Sequence, residues 1–211
     1  MIDYNVLKVI RGLLHTRSNG VDMTQISYSY IKQQEILDSI IGSVSPKQQK
    51  SKDWLIKESS KFLKVIKDPK ICIAAGWYGL LGAKLREFTN GEILSFDKDP
   101  MCKKLGKKMY KKDYGISFDV ADINDFDPKK YDVVICTSCE HITDDELNGF
   151  LGKVNTGTLV ILQSNNYDIP EHINCKVNVG EFIWSVKEME ILYEGELDVD
   201  NYKRFMIIGL I

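Results

Sequence analysis

Two groups of residues in this 211-residue chain have types and spacings suited to chemistry. The first is Ala75, Gly76, Trp77, Tyr78 and Gly79, with Asp97 and Lys98 following about twenty residues later. The turn comes directly after the apolar run Ile71 to Ala75, and Asp97 directly after the run Ile93 to Phe96. A glycine-bearing turn between a strand and a helix lets the backbone approach a ligand closely. A carboxylate at the end of the next strand can accept hydrogen bonds from ribose hydroxyls. Asp122 and Ile123 follow a third apolar run, and a carboxylate there can accept from an adenine amino group. The second group is Thr137, Ser138, Cys139, Glu140 and His141, after the run Asp132 to Cys136. His141 can serve as a general base near neutral pH. Glu140 can orient an acceptor, and Cys139 can contact it. Asn165, Asn166 and Tyr167 close a fifth run, offering amides to read a substrate and a ring to stack on it.

These positions require alternating strands and helices. Short, continuously apolar runs at 71–75, 93–96, 116–120, 132–136 and 158–162 have the pattern of parallel strands buried on both faces. Helices are expected near 80–88, 101–112 and 144–151. The runs Ile191–Leu197 and Arg204–Leu210 are separated by a gap too short for a helical crossover, so they should form an antiparallel hairpin. The expected fold class is α/β, a mostly parallel seven-stranded sheet with helices on both faces. Residues 1–68 read as a helical extension and 69–211 as the nucleotide-binding domain. The extension should hold three helices, one carrying Val6 to Leu14, one carrying Ile31 to Ile41 and one from about Lys52. Asp99 rather than Asp97 is the better cap for the helix at 101–112. By position, Tyr28 and Tyr30 are candidate lid residues over the acceptor pocket.

Composition narrows the classes further. The net charge is −2, so no global field favours nucleic acid or membrane. No apolar stretch reaches the roughly 18 residues of a membrane span. The N-terminus lacks the basic region and apolar run of an export signal. The five cysteines (72, 102, 136, 139 and 175) suggest neither a disulfide framework nor a structural zinc site. A reducing cytoplasm is the expected location. Lys103, Lys104, Lys107, Lys108, Lys111 and Lys112 repeat at helical spacing and read as a solvated face. Glu171 and His172 would add a second carboxylate and imidazole to Glu140 and His141, but their spacing is not diagnostic and no metal is expected.

The ligand class follows from the turn. The dinucleotide fingerprint G-x-G-x-x-G is absent, since the spacing here is Gly76-x-x-Gly79-x-x-Gly82 and Trp77-Tyr78 stand where a pyrophosphate would lie. Asp97 on a ribose and Asp122 on an adenine describe an adenosine pocket without a pyrophosphate, which favours S-adenosylmethionine over a dinucleotide.

On Phe96-Asp-Lys-Asp-Pro100, Ala121-Asp-Ile123 and Tyr131-Asp-Val-Val-Ile-Cys-Thr-Ser-Cys-Glu-His141, residues 69–211 resemble the class I S-adenosylmethionine-dependent methyltransferases. The final hairpin suits that family's sheet. The chain has Ala74-Ala-Gly-Trp-Tyr-Gly79 where the family usually has an acid and G-x-G-x-G. The resemblance implies cofactor contacts from Ala75–Gly79, Asp97, Lys98, Asp122, Ile123 and Thr137. It also implies catalysis by Glu140 and His141, and substrate contacts from Cys139, Asn165, Asn166 and Tyr167. Phe-Asp-Lys-Asp-Pro with a helical N-terminus is also similar to nicotianamine synthase-like proteins, and the chain has a likeness to phage-encoded members of the fold. Methyl transfer to an unidentified acceptor is the expected activity. Aminocarboxypropyl transfer and a non-catalytic binding module are the alternatives. Neither the acceptor, small molecule or RNA, nor the oligomeric state can be read from the residues.

Overall fold

The computed structural model describes residues 4, 5, 8, 28–110 and 114–211. Most of the first expected helix, the side chains of Tyr28 and Tyr30, and Lys111 and Lys112 lie outside the described residues. The chain forms two compact units, residues 1–50 and 51–211. The first contains α1 (Tyr28–Ser43) and the start of α2 (Pro46–Leu63). The polar stretch after Ser45 is helical, so this helix begins six residues before the expected Lys52. Ser45 Oγ accepts from Gln48 N at 3.4 Å, and Pro46 opens the helix where no N–H is needed.

The second unit holds the sheet. The rest of α2 packs with the sheet. Leu55, Ile56 and Leu63 share one apolar cluster with Ile71, Ile73, Ile135 and Ile161. The strands are β1 (Ile71–Ala74), β2 (Ile93–Asp97), β3 (Ile116–Val120), β4 (Val133–Cys136), β5 (Leu159–Asn165), β6 (Glu190–Val199) and β7 (Tyr202–Leu210). Their order is β3-β2-β1-β4-β5-β7-β6. The first five are parallel, and β7 runs antiparallel between β5 and β6. The helices of this unit are α3 (Leu80–Leu85), α4 (Pro100–Met109), α5 (Asp144–Leu151) and α6 (Val179–Ser185), with a short 3-10 turn at Cys139–His141. A second apolar cluster joins Cys72, Val134, Val160 and Ile207 to Leu147 and Phe150 of α5. No described helix is long and apolar enough to cross a membrane.

One departure from expectation bears on the site. β5 continues to Asn165, three residues past the expected end, because Gln163, Ser164 and Asn165 pair with Met206, Phe205 and Arg204 of β7. The sheet order reverses direction between β1 and β4, so the carboxyl ends of β1, β2, β4 and β5 flank the crevice where open α/β sheets bind ligands.

Candidate functional site

The turn after β1 is a cradle built from backbone. Ala75 and Trp77 have φ of 48° and 49°, and Gly79 has φ of 92°. Three left-handed residues in five fold the chain back on itself, a conformation that costs energy at the two non-glycine positions. A Cβ on Gly76 would lie 2.1 Å from Ser95 Oγ, and one on Gly79 would lie 2.6 Å from the Phe118 ring. Gly76 N donates to Phe96 O at 3.0 Å, tying the turn to β2. Trp77 is half-buried, whereas Tyr78 is 4% exposed and belongs to the core.

Asp97 ends β2 half-buried. Its Oδ2 accepts from Trp77 N and its Oδ1 from Asp99 N, each at 3.1 Å. The carboxylate thus joins the turn to the start of α4. A carboxylate has about four acceptor sites, so capacity for further donors remains. Asp99 caps α4, accepting from Met101 N at 2.8 Å, which leaves Asp97 free of that duty. Lys98 is exposed, and Asp122 and Ile123 are half-buried after β3. Asp122 Oδ1 accepts from both N and Nδ2 of Asn124, each at 2.9 Å.

Beyond β4 the site rests on a buried polar layer that the expectations above omitted. Thr137 is 5% exposed. Its Oγ1 accepts from Lys52 Nζ at 2.8 Å, and its carbonyl accepts from Arg204 Nη2 at 2.6 Å. Arg204 also faces Glu140, with Nη2 to Oε1 at 3.5 Å, and both side chains are almost fully buried. Ser51 Oγ donates to Gln163 Oε1 at 3.1 Å beside them. Burial pushes the Lys52 ammonium down to about 7, the Arg204 charge adds to this, and Glu140 opposes it. Lys52 was discoverable from the sequence, because it shares a helical face with Leu55, Ile56, Ser59 and Leu63. Arg204 had no such mark; only its register against Asn165 brings it to this edge.

The remaining candidates separate into core and surface. Cys139 is 1% exposed, its Sγ donating to Cys136 O at 3.8 Å. Burial raises its thiol well above the ordinary range, so it stays protonated. Its side chain is core, which removes the expected substrate contact. Asn165 is 1% exposed, and its Oδ1 accepts from Tyr167 N at 2.8 Å. Asn166 is exposed but holds Lys203 N through Oδ1 at 2.7 Å. Both amides therefore shape the strand end.

Tyr167 is 36% exposed and stacks on Tyr202 at 4.9 Å, and its ring also meets His172 edge-on. The rings of His172 and His141 meet at 4.6 Å. An aromatic row, Tyr202, Tyr167, His172 and His141, thus borders the ends of β4 and β5. His141 Nδ1 lies 2.9 Å from Glu171 O and His172 Nδ1 lies 2.5 Å from Tyr167 O. The loop carrying His172 is anchored by Asn174 N to Glu140 O at 3.0 Å and by Lys176 Nζ to Asp144 at 2.8 Å. Glu171 contributes its carbonyl here, and its side chain is exposed.

No family model matches this chain, and no curated protein does. Solved structures do resemble it. The magnesium protoporphyrin IX methyltransferase ChlM of Synechocystis, determined with bound S-adenosylhomocysteine, has a TM-score of 0.64 at 12% identity, over 93% of this chain and 92% of that one. The N-methyltransferase NodS of Bradyrhizobium japonicum gives 0.62 at 11% identity, over 80% and 98%. An S-adenosylmethionine-dependent methyltransferase of Clostridium acetobutylicum gives 0.61 at 13%, over 87% and 99%. At such identities the likeness is one of fold, and it agrees with the strand order and the terminal antiparallel pair. The chain has the fold of the class I S-adenosylmethionine-dependent methyltransferases.

Proposed function

We propose that the chain is an S-adenosylmethionine-dependent methyltransferase. In this reading the cofactor lies over the ends of β1 and β2, and the acceptor approaches from the ends of β4 and β5. The observation that carries the reading is the join between Asp97 and the turn, with Trp77 N held by Asp97 Oδ2 at 3.1 Å beside the left-handed Gly79. The residues fit the ligand. Ser95 and Phe118 fill the space where a Cβ on Gly76 or Gly79 would lie, so glycine at both positions lets the turn pack closely on β2 and β3. Asp97, with Lys98 beside it, has acceptor capacity for a ribose diol, and Asp122 with Ile123 follows β3 where the adenine would rest.

When bound, S-adenosylmethionine supplies a methyl group on a sulfonium sulfur, which departs as a neutral thioether. The chain then has two tasks, to align the acceptor and to manage its proton. Alignment supplies most of the gain in such displacements. Tyr167 and Tyr202 give the acceptor a flat aromatic face. His141 manages the proton. A carbonyl only accepts, so the contact with Glu171 O places the ring proton on Nδ1 and leaves a lone pair on Nε2 of this exposed residue. Glu140 supports this edge from the interior, and Thr137 holds Lys52 and Arg204 beneath it.

Calorimetric titration with S-adenosylhomocysteine tests the cofactor site. Micromolar binding is expected in the native chain, with at least tenfold loss in Asp97→Ala. Absence of binding in the native chain would overturn the assignment and favour a non-catalytic module. Products then separate the chemistries, since methyl transfer yields S-adenosylhomocysteine and aminocarboxypropyl transfer yields methylthioadenosine.

A further inference from the structure

Glu140 is 4% exposed, and among the described residues its Oε2 has no hydrogen-bond partner. A buried carboxylate oxygen left unpartnered is costly and needs an explanation. The structure offers one beside it. Glu140, His141 and His172 each bring one ligand atom into a group whose members all lie within 4.8 Å of one another. Both imidazoles are turned the same way. His141 Nδ1 faces Glu171 O, and His172 Nδ1 faces Tyr167 O. Each Nδ1 must carry the proton in those contacts, so each Nε2 keeps its lone pair. A backbone carbonyl on the far nitrogen is the arrangement that orients histidine ligands around metals.

We propose that Glu140, His141 and His172 bind one divalent first-row transition ion. Two imidazoles and one carboxylate suit zinc, manganese, iron(II) or cobalt(II) and leave open positions on the metal. Ligand atoms about 2.1 Å from one ion stand at most about 4.2 Å apart, so the group closes by under an ångström on binding. The anchors of the His172 loop, at Asn174 and Lys176, keep it within that reach. The function of the ion rests on the methyltransferase reading, although its binding does not. An acceptor hydroxyl or amine coordinated at an open position becomes more acidic, and, because the ion now holds the His141 lone pair, its proton leaves to solvent before the methyl group arrives instead of passing to His141. The lone pair freed on the acceptor forms the new bond to carbon, and the electrons of the carbon–sulfur bond stay on sulfur.

Cobalt(II) titration of the metal-free full chain, followed by visible absorption and calorimetry, tests the site. One ion per chain is expected. His141→Ala and His172→Ala should each weaken binding more than about tenfold while keeping the native circular dichroism and Tm. Cys175 is the control, because its Sγ lies 3.9 Å from His172 Nδ1 and is the nearby soft ligand. Cys175→Ser should bind cobalt as the native chain does. The proposal is overturned if the native chain binds no cobalt, or if the His141→Ala/His172→Ala double variant binds it unchanged. Loss in Cys175→Ser with retention in His141→Ala would overturn it equally, by assigning the ion to the thiol. Asp97→Ala should retain cobalt while losing S-adenosylhomocysteine, so the two sites fail separately.

Discussion

At the ends of β1 and β2 the groups facing the crevice come mainly from residues 71–99, and they are mostly backbone. Gly76 N reaches Phe96 O, and Trp77 N and Asp99 N share one carboxylate. At the ends of β4 and β5 the supporting groups are side chains from distant parts of the sequence. Lys52 meets Thr137 across 85 residues, Ser51 meets Gln163 across 112, and Arg204 meets Thr137 across 67. The first region has a fixed shape encoded in a short peptide. The second is a layer of buried charge that exists only once the sheet is assembled. A cofactor common to many reactions can be met by the first kind of construction, whereas the second can differ with each acceptor.

The largest expected effect lies in that charge layer. Arg204→Met removes the cation facing Glu140 in a site where both side chains are about 4–5% exposed. Stranding a buried charge this way costs about 3–5 kcal/mol, read by urea unfolding at neutral pH. Adding Glu140→Gln should restore much of the loss, because the uncompensated carboxylate is then gone. If the double variant is as unstable as the single, Arg204 acts through packing and the layer is not electrostatic.

At the other end, Gly79→Ala should cost about 2–4 kcal/mol, combining a left-handed alanine with overpacking against Phe118. Its affinity for S-adenosylhomocysteine should fall with stability, because the cradle itself moves. Unchanged stability and binding would show that the turn has slack and that its glycines are not what shapes it.

This contrast also explains what the sequence disclosed. The turn, Asp97, the Asp99 cap and the terminal hairpin are each written in fewer than about thirty consecutive residues, so periodicity and turn chemistry reveal them. Val133–Cys136 and Leu159–Leu162 were legible because both faces are buried. Gln163 to Asn165 looked like a loop because they are polar. Their burial is possible only through pairing with β7 and with Ser51. Cys139 stood in a row of polar residues as a candidate substrate contact, yet one turn of 3-10 helix carries it into the core. Arg204 lay hidden, since a long-range partner leaves no trace in local spacing.

Lys52 gives a third and smaller effect, visible through pH. Its ammonium is pushed from 10.5 in the unfolded chain down to about 7 in the folded one. Between those values the unfolded chain binds the proton and the folded chain does not, so stability contributed by this site rises with pH from about 7 upward. Below about pH 7 both forms are protonated and the burial cost is felt in full. From pH 7 to 8.5 the rise should be of order 1–2 kcal/mol, at about 1.4 kcal/mol per unit. Lys52→Met should flatten that slope in urea titrations and be relatively most favourable near pH 6. Parallel curves for the two proteins would mean that water reaches Lys52.

The smallest effects come from a pair of matched contacts, one in each region. Lys176 meets Asp144 at 2.8 Å in the loop that carries His172, and Lys103 meets Asp119 at 2.9 Å between α4 and β3. The distances are alike, but the Lys176 side chain is 5% exposed and the Lys103 side chain 36%. Lys103→Met should change stability by less than about 0.5 kcal/mol, because an exposed pair in water gains little over its solvated ions. Lys176→Met should cost about 1 kcal/mol, less than a fully buried pair, since Asp144 is 43% exposed and can turn to solvent. The more telling readout is local. Lys176 Nζ also donates to Asn174 Oδ1 at 2.8 Å, and Asn174 holds Glu140 O. Amide exchange across residues 168–178 should therefore accelerate in Lys176→Met and stay native in Lys103→Met. If both variants leave that exchange unchanged, the loop is held by its backbone contacts alone, and the ends of β4 and β5 are as locally built as the ends of β1 and β2.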